Sequence, residues 1–398
     1  MKRHFLFAVA LSLVAGSVAA QGTAGDAKKD TLAFTTIKEN PITSIKDQNQ
    51  SGTCWCFSSL SFLEAELLRE GKGEYDLCES FVVYKTMIDR AERAVRTHGD
   101  VSFAQGGSFY DVIYCLKNYG IVPQEAMAAP GSLYGDTLFN HNELDAVATA
   151  YVKAIAKGNH RKLTPCWKKG LEGIYDAYVG ELPTEFEVNG KKYTPKSYAE
   201  SLGLNLDDYV SLTSFTHYPF YDKFVIEVPD NWRWAESYNL PLDEFMEVMD
   251  YAVREGYTFA WGADVSEPGF GRDGVARVPL AAGKKDLTGS DAARWTGTDG
   301  KAEAVVKASD DEQTITQEMR QEAYDNWQTT DDHGMVIYGL AKDQKGNEYF
   351  MVKNSWGKYG KYKGIFYASK PYVAYKTMNI LINKKAIPSK IAKKLGIK

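Results

Sequence analysis

The chain has 398 residues, 44% of them hydrophobic and 25% charged, enough to bury one large core or two lobes. A formal net charge of −5 gives no electrostatic reason to expect nucleic acid or an anionic membrane surface as the main partner. Five cysteines exclude a dense disulfide framework, and their odd number leaves at least one thiol unpaired.

The first residues carry a basic start, Lys2-Arg3-His4, then an apolar run from Phe5 to Ala15, then Val18-Ala19-Ala20 before Gln21. This is the pattern of a secretory signal peptide, and the apolar run is too short to span a bilayer. It predicts a signal peptide over 1–20 and a mature chain that is secreted or periplasmic, with no membrane association after signal removal. Residues 21–35 are polar and small and read as a mobile lead-in.

From Cys54 onward Phe57, Leu60, Leu63 and Leu67 recur at helical spacing, with Glu64, Glu66, Arg69 and Glu70 opposite and Gly71 as the stop. Cys54 is thereby placed at a helix N-terminus. Further helices are predicted over 76–97 and 109–118, the second with Ser108 as N-cap, Asp111 in its first turn and Gly120 beyond its end. Residues 121–235 are rich in aromatics and turns and carry no clear period. Leu242 to Glu255 is an amphipathic helix, and Tyr257, Phe259, Trp261, Ala263 and Val265 alternate as a strand does. A polar, Gly- and Asp-rich stretch at 282–313 leads to three strand-like runs, Met335 to Leu340, Tyr349 to Lys353 and Gly364 to Tyr367. Helices first and strands last predict an α+β protein of two lobes with a cleft between them.

The segment Cys54-Trp-Cys56 admits three readings. A structural zinc site needs four N or S ligands, usually as two close pairs, and no second Cys/His pair follows. A thioredoxin-type redox site needs two residues between its cysteines, and one is present. A nucleophilic thiol gains from the helix start, whose partial positive charge and free amides stabilise a thiolate. It also needs a base and a group to orient that base. His333, in Asp331-Asp332-His333-Gly334, opens one predicted strand, and Asn354, in Lys353-Asn354-Ser355-Trp356-Gly357, closes the next. Antiparallel pairing of those strands sets His333 beside Asn354, whose amide oxygen can fix the imidazole tautomer.

Gln48, the block Ser-Gly-Thr-Cys54-Trp-Cys-Phe-Ser, the distant His333-Gly and Asn354-Ser-Trp356-Gly resemble the signature blocks of papain-like cysteine peptidases. Leu77-Cys-Glu-Ser-Phe, Gly106-Gly107 before a helix, Tyr119-Gly-Ile-Val-Pro123 and Leu240-Pro-Leu-Asp-Glu resemble the bleomycin hydrolase and aminopeptidase C branch. The resemblance implies a papain-like two-lobed fold with a large mid-chain insertion: a helical lobe with the catalytic Cys over 36–120, the insertion over 121–235, a β-rich lobe with the catalytic His and Asn over 236–383, and a C-terminal tail over 384–398. It implies a Cys54–His333–Asn354 triad, an oxyanion hole from Gln48 and the Cys54 N–H, and a cover over the His–Asn pair from Trp356, which simple core packing explains equally. It implies that Gly106 and Gly107 form the strip on which substrate backbone lies, a bare turn being the other view.

Peptides are then the substrates, no cofactor or metal is required, and a homo-oligomer, a hexamer, is implied. Other readings are a papain-like endopeptidase with an open cleft and a catalytically idle peptide-binding protein on the same fold. The sequence departs from the family at Ser51, where many secreted members have a disulfide cysteine, and at Cys56, where Ala is usual. Cys56 reads as a small buried bystander. The signal peptide is a further departure, since the branch is typically intracellular. In the family the C-terminal segment runs into the cleft and offers its carboxylate to the substrate's free amine. Here that segment is lysine-rich, and a solvated or loosely docked tail is the competing expectation.

Overall fold

The computed structural model describes residues 32–267, 269–271, 273–278 and 311–398. The signal peptide read over 1–20, the lead-in up to 31 and nearly all of the stretch at 282–313 lie outside the described residues.

The amino-terminal half forms β1 (Thr35–Glu39), α1 (Cys54–Arg69), α2 (Glu79–Arg96), α3 (Phe109–Asn118), α4 (Asn142–Lys157), α5 (Cys166–Val179), the hairpin β2 (Phe186–Val188) and β3 (Lys191–Tyr193), and α6 (Pro195–Ser201). Then come β4 (Tyr209–Thr213), β5 (Lys223–Val225), β6 (Glu236–Asn239), α7 (Leu242–Arg254), β7 (Phe259–Ala263), β8 (Val275–Ala276) and α8 (Gln317–Asp325). The chain ends with β9 (His333–Lys342), β10 (Glu348–Lys353), β11 (Ile365–Ser369), α9 (Lys370–Lys376), β12 (Thr377–Asn383) and α10 (Ser389–Lys394). The fold is α+β, as the order of elements predicted.

One ten-stranded sheet runs β5-β6-β4-β12-β7-β9-β10-β11-β8, with β1 also paired to β9. β9 is its hub. β7 pairs antiparallel with its first half, Ala263 opposite His333, and β1 with its second half, Thr35 opposite Lys342. Its sequence is a continuous apolar run because both faces are covered. Val336 joins the core around α1, whereas Met335 and Ile337 join a second core with Phe245 and Met249 of α7. These two cores are the two lobes.

α1 departs from the amphipathic reading. Every residue from Trp55 to Leu67 is buried, Glu64 and Glu66 included. Burying a carboxylate requires partners, and each has them. Glu64 accepts from Thr43 Oγ1 at 2.7 Å and the Leu77 N–H at 2.9 Å, and pairs with Lys46 at 3.3 Å. Glu66 holds Arg69 at 2.8 Å and Asn383 Nδ2 at 2.7 Å. The face that reads as solvent-facing is therefore an internal polar seam.

Within 121–235, α4 and α5 pack against α2, while β4 pairs with β12 inside the main sheet. The end of the stretch read as a lead-in is docked: Leu32 is buried, and Phe34 stacks on Tyr367 with ring centroids 3.9 Å apart. The C-terminal segment is docked too. Ile387, Ile391 and Leu395 recur every four residues, and that stripe packs into the second core. Lys394 pairs with Glu244 of α7, and Lys384 with Asp208 at 2.9 Å. None of residues 382–398 lines the cleft, so the path into the cleft that the resemblance implied is not the one taken.

Candidate active site

The two lobes enclose a cleft of about 1270 Å³, lined among others by Gln48, Cys54, Gly106, Gly107, His333 and Trp356. Cys54 is the first residue of α1, half-exposed to this space. Its helix starts cleanly because the Thr53 carbonyl accepts from the N–H groups of Cys56 at 2.9 Å and Phe57 at 3.2 Å. Cys56 points the other way. It is fully buried, its thiol lies 3.7 Å from the Glu79 carbonyl, and burial pushes that thiol well above the ordinary cysteine value. A thiol so placed is neither a working nucleophile nor half of a redox pair with Cys54.

β9 delivers His333 to α1 through Gly334. A Cβ at Gly334 would lie 2.5 Å from Ser58 Oγ and 3.3 Å from the Cys54 carbonyl oxygen. Only glycine lets the strand come this near the first turn of the helix. β10 ends at Lys353, opposite Val336, and the next residue is Asn354. His333 Nε2 and Asn354 Oδ1 are 2.7 Å apart, and the same oxygen accepts the Ser355 N–H at 2.7 Å. Two donors converging on one atom identify it as the amide oxygen, so Nε2 carries the proton and Nδ1 is left with its lone pair. Trp356 stands over the imidazole, ring centroids 4.7 Å apart at 30°. Burial pushes the His333 pKa down to about 4 against the upward pull of the Asn354 bond. Alone, this imidazole stays neutral, and it can hold a proton only with an anion beside it.

Gln48 is stitched between the lobes. Its N–H donates to the Ser355 carbonyl at 2.8 Å, its Oε1 accepts from Ser355 Oγ at 2.6 Å, and its Nε2 donates to the Ser51 carbonyl at 2.7 Å. One of the two Nε2 hydrogens is so used, and the other remains for a ligand in the cleft. Ser51 bonds to the Gln48 carbonyl at 2.8 Å and to Thr53 Oγ1 at 2.7 Å, so a hydroxyl tightens this turn where many family members have a disulfide.

Gly106 and Gly107 are glycines for a reason the sequence does not give. A Cβ at Gly107 would meet the Trp55 ring at 2.8 Å, and one at Gly106 would meet Asp230 Oδ2 at 1.8 Å. Arg90, fully buried on α2, bonds the Gly106 carbonyl and the Ser102 carbonyl and reaches Asp230 Oδ1 at 3.2 Å. Arg233 clamps Asp111 at 2.6 Å and Asp89 at 2.7 Å. Arg90, Asp230 and Arg233 were not singled out from sequence, because each acts through a partner more than a hundred positions away. Asp331 and Asp332 stood in the quoted histidine block and were passed over. Asp332 lies in hydrogen-bond contact with Asp264, and both accept from Ser266 and Thr330.

The family model described as the Peptidase C1-like family matches residues 7–397. An aminopeptidase G of Lactobacillus delbrueckii subsp. lactis is 23% identical over 89% of this chain and 84% of its own length. An aminopeptidase C of Streptococcus thermophilus is 24% identical over 85% of this chain and 80% of its own length. The crystal structure of PepW from Lactobacillus rhamnosis HN001 superposes with a TM-score of 0.67 at 20% identity, covering 91% of this chain and 84% of that one. That likeness shows a shared fold.

Proposed function

The chain belongs to the Peptidase C1-like family, in the aminopeptidase C branch of papain-like cysteine peptidases, and on that premise we propose that it removes residues from peptide N-termini with Cys54, His333 and Asn354 as its triad. The observation that carries this reading is the 2.7 Å bond between His333 and Asn354, set against the first turn of the helix that Cys54 begins.

Cys54 passes its proton to His333 Nδ1, and the sulfur attacks the scissile carbonyl carbon. The electron pair of the C=O bond moves to oxygen, where the free Nε2 hydrogen of Gln48 and the Cys54 N–H stabilise it. As the C–N bond breaks, the imidazolium protonates the departing amine. Water then attacks the thioester carbonyl as His333 takes its proton, the C–S bond breaks with its electron pair on sulfur, and the carboxylic acid is released, leaving the thiolate beside the imidazolium. Asn354 keeps the ring oriented throughout, Trp356 shields that bond from water, and Gly106 and Gly107 give the substrate backbone its strip. A buried imidazolium is unfavourable by itself, so thiolate and imidazolium form together, each stabilising the other.

A second reading, an open-cleft endopeptidase, is favoured by one observation: the C-terminal segment packs on α7, and none of residues 382–398 lines the cleft. Export through residues 1–20 and assembly as a homo-oligomer belong to the proposal as well. An epoxide thiol-peptidase inhibitor should label Cys54, and Cys54→Ala should lose both labelling and hydrolysis while remaining folded. A peptide library with free and blocked N-termini separates the two readings by the direction of cleavage. A folded protein that neither labels nor cleaves any peptide would leave only a binding role.

A further inference from the structure

An enzyme that removes one residue at a time must recognise the substrate's α-ammonium group. That nitrogen is two bonds from the carbonyl carbon under attack, so its anchor has to stand on the cleft wall beside the nucleophile. The chemistry calls for a carboxylate, and the segment 382–398 supplies nothing to the cleft. Seven acids line the cleft among the described residues; of these Glu236 is exposed on β6, four strands from β9 in the sheet, and Asp273 accepts the Val275 N–H at 3.2 Å. Asp207 pairs with Lys117, Glu267 with Lys376, and Asp332 is bound into the Asp264–Ser266–Thr330 cluster.

Two carboxyl oxygens on the cleft wall stand apart from these. Asp230 is nine-tenths buried and uses Oδ1 on Arg90, while Oδ2 lies directly over Gly106 and accepts no hydrogen bond among the described residues. Asp331 lines the same cleft two residues before His333, and it too has no hydrogen-bond partner among the described residues. The two sit near enough for the charge of one to act on the other. Arg90 offsets the Asp230 charge from the Oδ1 side only, and an incoming ammonium on the cleft side relieves the remaining repulsion between the two carboxylates.

We infer that Asp331, with Asp230 beside it on the helical wall of the cleft, takes the α-ammonium group of the substrate's N-terminal residue, in place of the C-terminal carboxylate that the family resemblance implied. This rests on the aminopeptidase reading and names the group that makes it selective. Asp230 is the fixed member, held by Arg90. Asp331 is the member free to close on the ligand. The pair explains why Gly106 carries no side chain: a Cβ there would displace the Asp230 oxygen that faces the substrate.

The test compares the full-length protein with Asp331→Asn and Asp331→Glu on aminoacyl fluorogenic amides, each with a free and with an acetylated amine. Titration of Cys54 with an epoxide inhibitor normalises every rate to correctly folded sites. Asparagine keeps the size and removes the charge, so the free-to-blocked ratio of kcat/KM should fall about 10-fold or more, chiefly through KM, as expected for a lost charge-assisted hydrogen bond. Asp331→Glu should restore part of that ratio. A wild-type protein that prefers free amines, with Asp331→Asn keeping the same ratio, overturns the anchor and leaves the aminopeptidase reading standing. A wild-type protein that cleaves blocked and free substrates alike overturns both.

Discussion

The two walls of the cleft hold their buried acids in opposite ways. On and behind the helical wall three carboxylates have arginines: Asp230 has Arg90, and Asp89 and Asp111 have Arg233. On the sheet wall, leading into β9, neither Asp331 nor Asp332 has an arginine or lysine among its hydrogen-bond partners in the described residues, and Asp332 instead contacts Asp264 and accepts from Ser266 and Thr330. Burial pushes Asp111 up, and the charges of Arg233 and Arg90 pull it back. Burial and the Asp230 charge push Asp331 up to about 7, and burial with Asp264 alongside holds Asp332 well above the usual carboxylate range. One wall is compensated, and held in place, by cations. On the other, Asp331 and Asp332 are raised, so their charge follows pH and what binds. The fixed wall positions backbone, namely the Gly106 carbonyl and the turn into α3. Asp331 and Asp332, immediately before the imidazole of His333, line the cleft with it.

The largest effect should come from breaking the fixed wall. Arg90→Met leaves Asp230 buried without its cation and the Ser102, Gly106 and Pro229 carbonyls without this donor, and should cost about 3–5 kcal/mol of stability in urea unfolding. A loss below about 1 kcal/mol would mean that the pair is a weakly coupled surface contact. Gln48 joins the walls, and Gln48→Ala should lower kcat by about 10²–10³ with little change in KM, because its free hydrogen acts on the developing oxyanion. An equal loss in KM would assign it to substrate binding instead.

The titrating wall is probed by pH. A carboxyl raised in the folded state adds stability that is complete below the unfolded value, about 4, and is lost as pH rises through the folded value. His333, depressed to about 4, runs the other way: its contribution is present at neutral pH and is lost as pH falls through the folded value. Total stability therefore mixes two opposite slopes. The difference between wild type and Asp332→Asn removes the histidine and should decline as pH rises from about 4 through the neutral range. A flat difference would mean that Asp332 and Asp264 share no proton. The smallest effect belongs to a residue on neither wall. Cys56→Ala should retain most activity in a peptide-hydrolysis assay and cost about 1 kcal/mol, as a small core truncation does.

Much of this was legible in one dimension. α3 begins and ends where Ser108, Asp111 and Gly120 place it, and its capping box is formed, Asp111 Oδ2 accepting the Ser108 N–H at 2.8 Å. The runs after 335 are strands because apolar continuity and a turn at Asp343 to Asn347 are local signals. The residue blocks around Cys54, His333 and Asn354 were legible because a nucleophile, a base and an orienting amide must each be a specific residue type at a helix start or a strand end. The mid-chain region was not, since β4 to β6 are short and owe their pairing to β12 and to one another.

The sequence by itself thus determined which residues are the candidates for chemistry, how α3 is capped, and that helices precede strands, because these rest on side-chain type and on spacing within one element. Tertiary structure decided which charges are neutralised. Glu64 and Glu66 read as solvent-facing and are buried, Arg90 finds Asp230, and Asp331 finds no cation among the described residues. It also decided that Ile387, Ile391 and Leu395 fasten the C-terminal segment to the second core rather than in the cleft. The physical reason is common to all of these. Apolar period fixes how an element turns its faces, but the sign of the charge opposite a buried ion is set by a residue far along the chain. No local pattern encodes that partner.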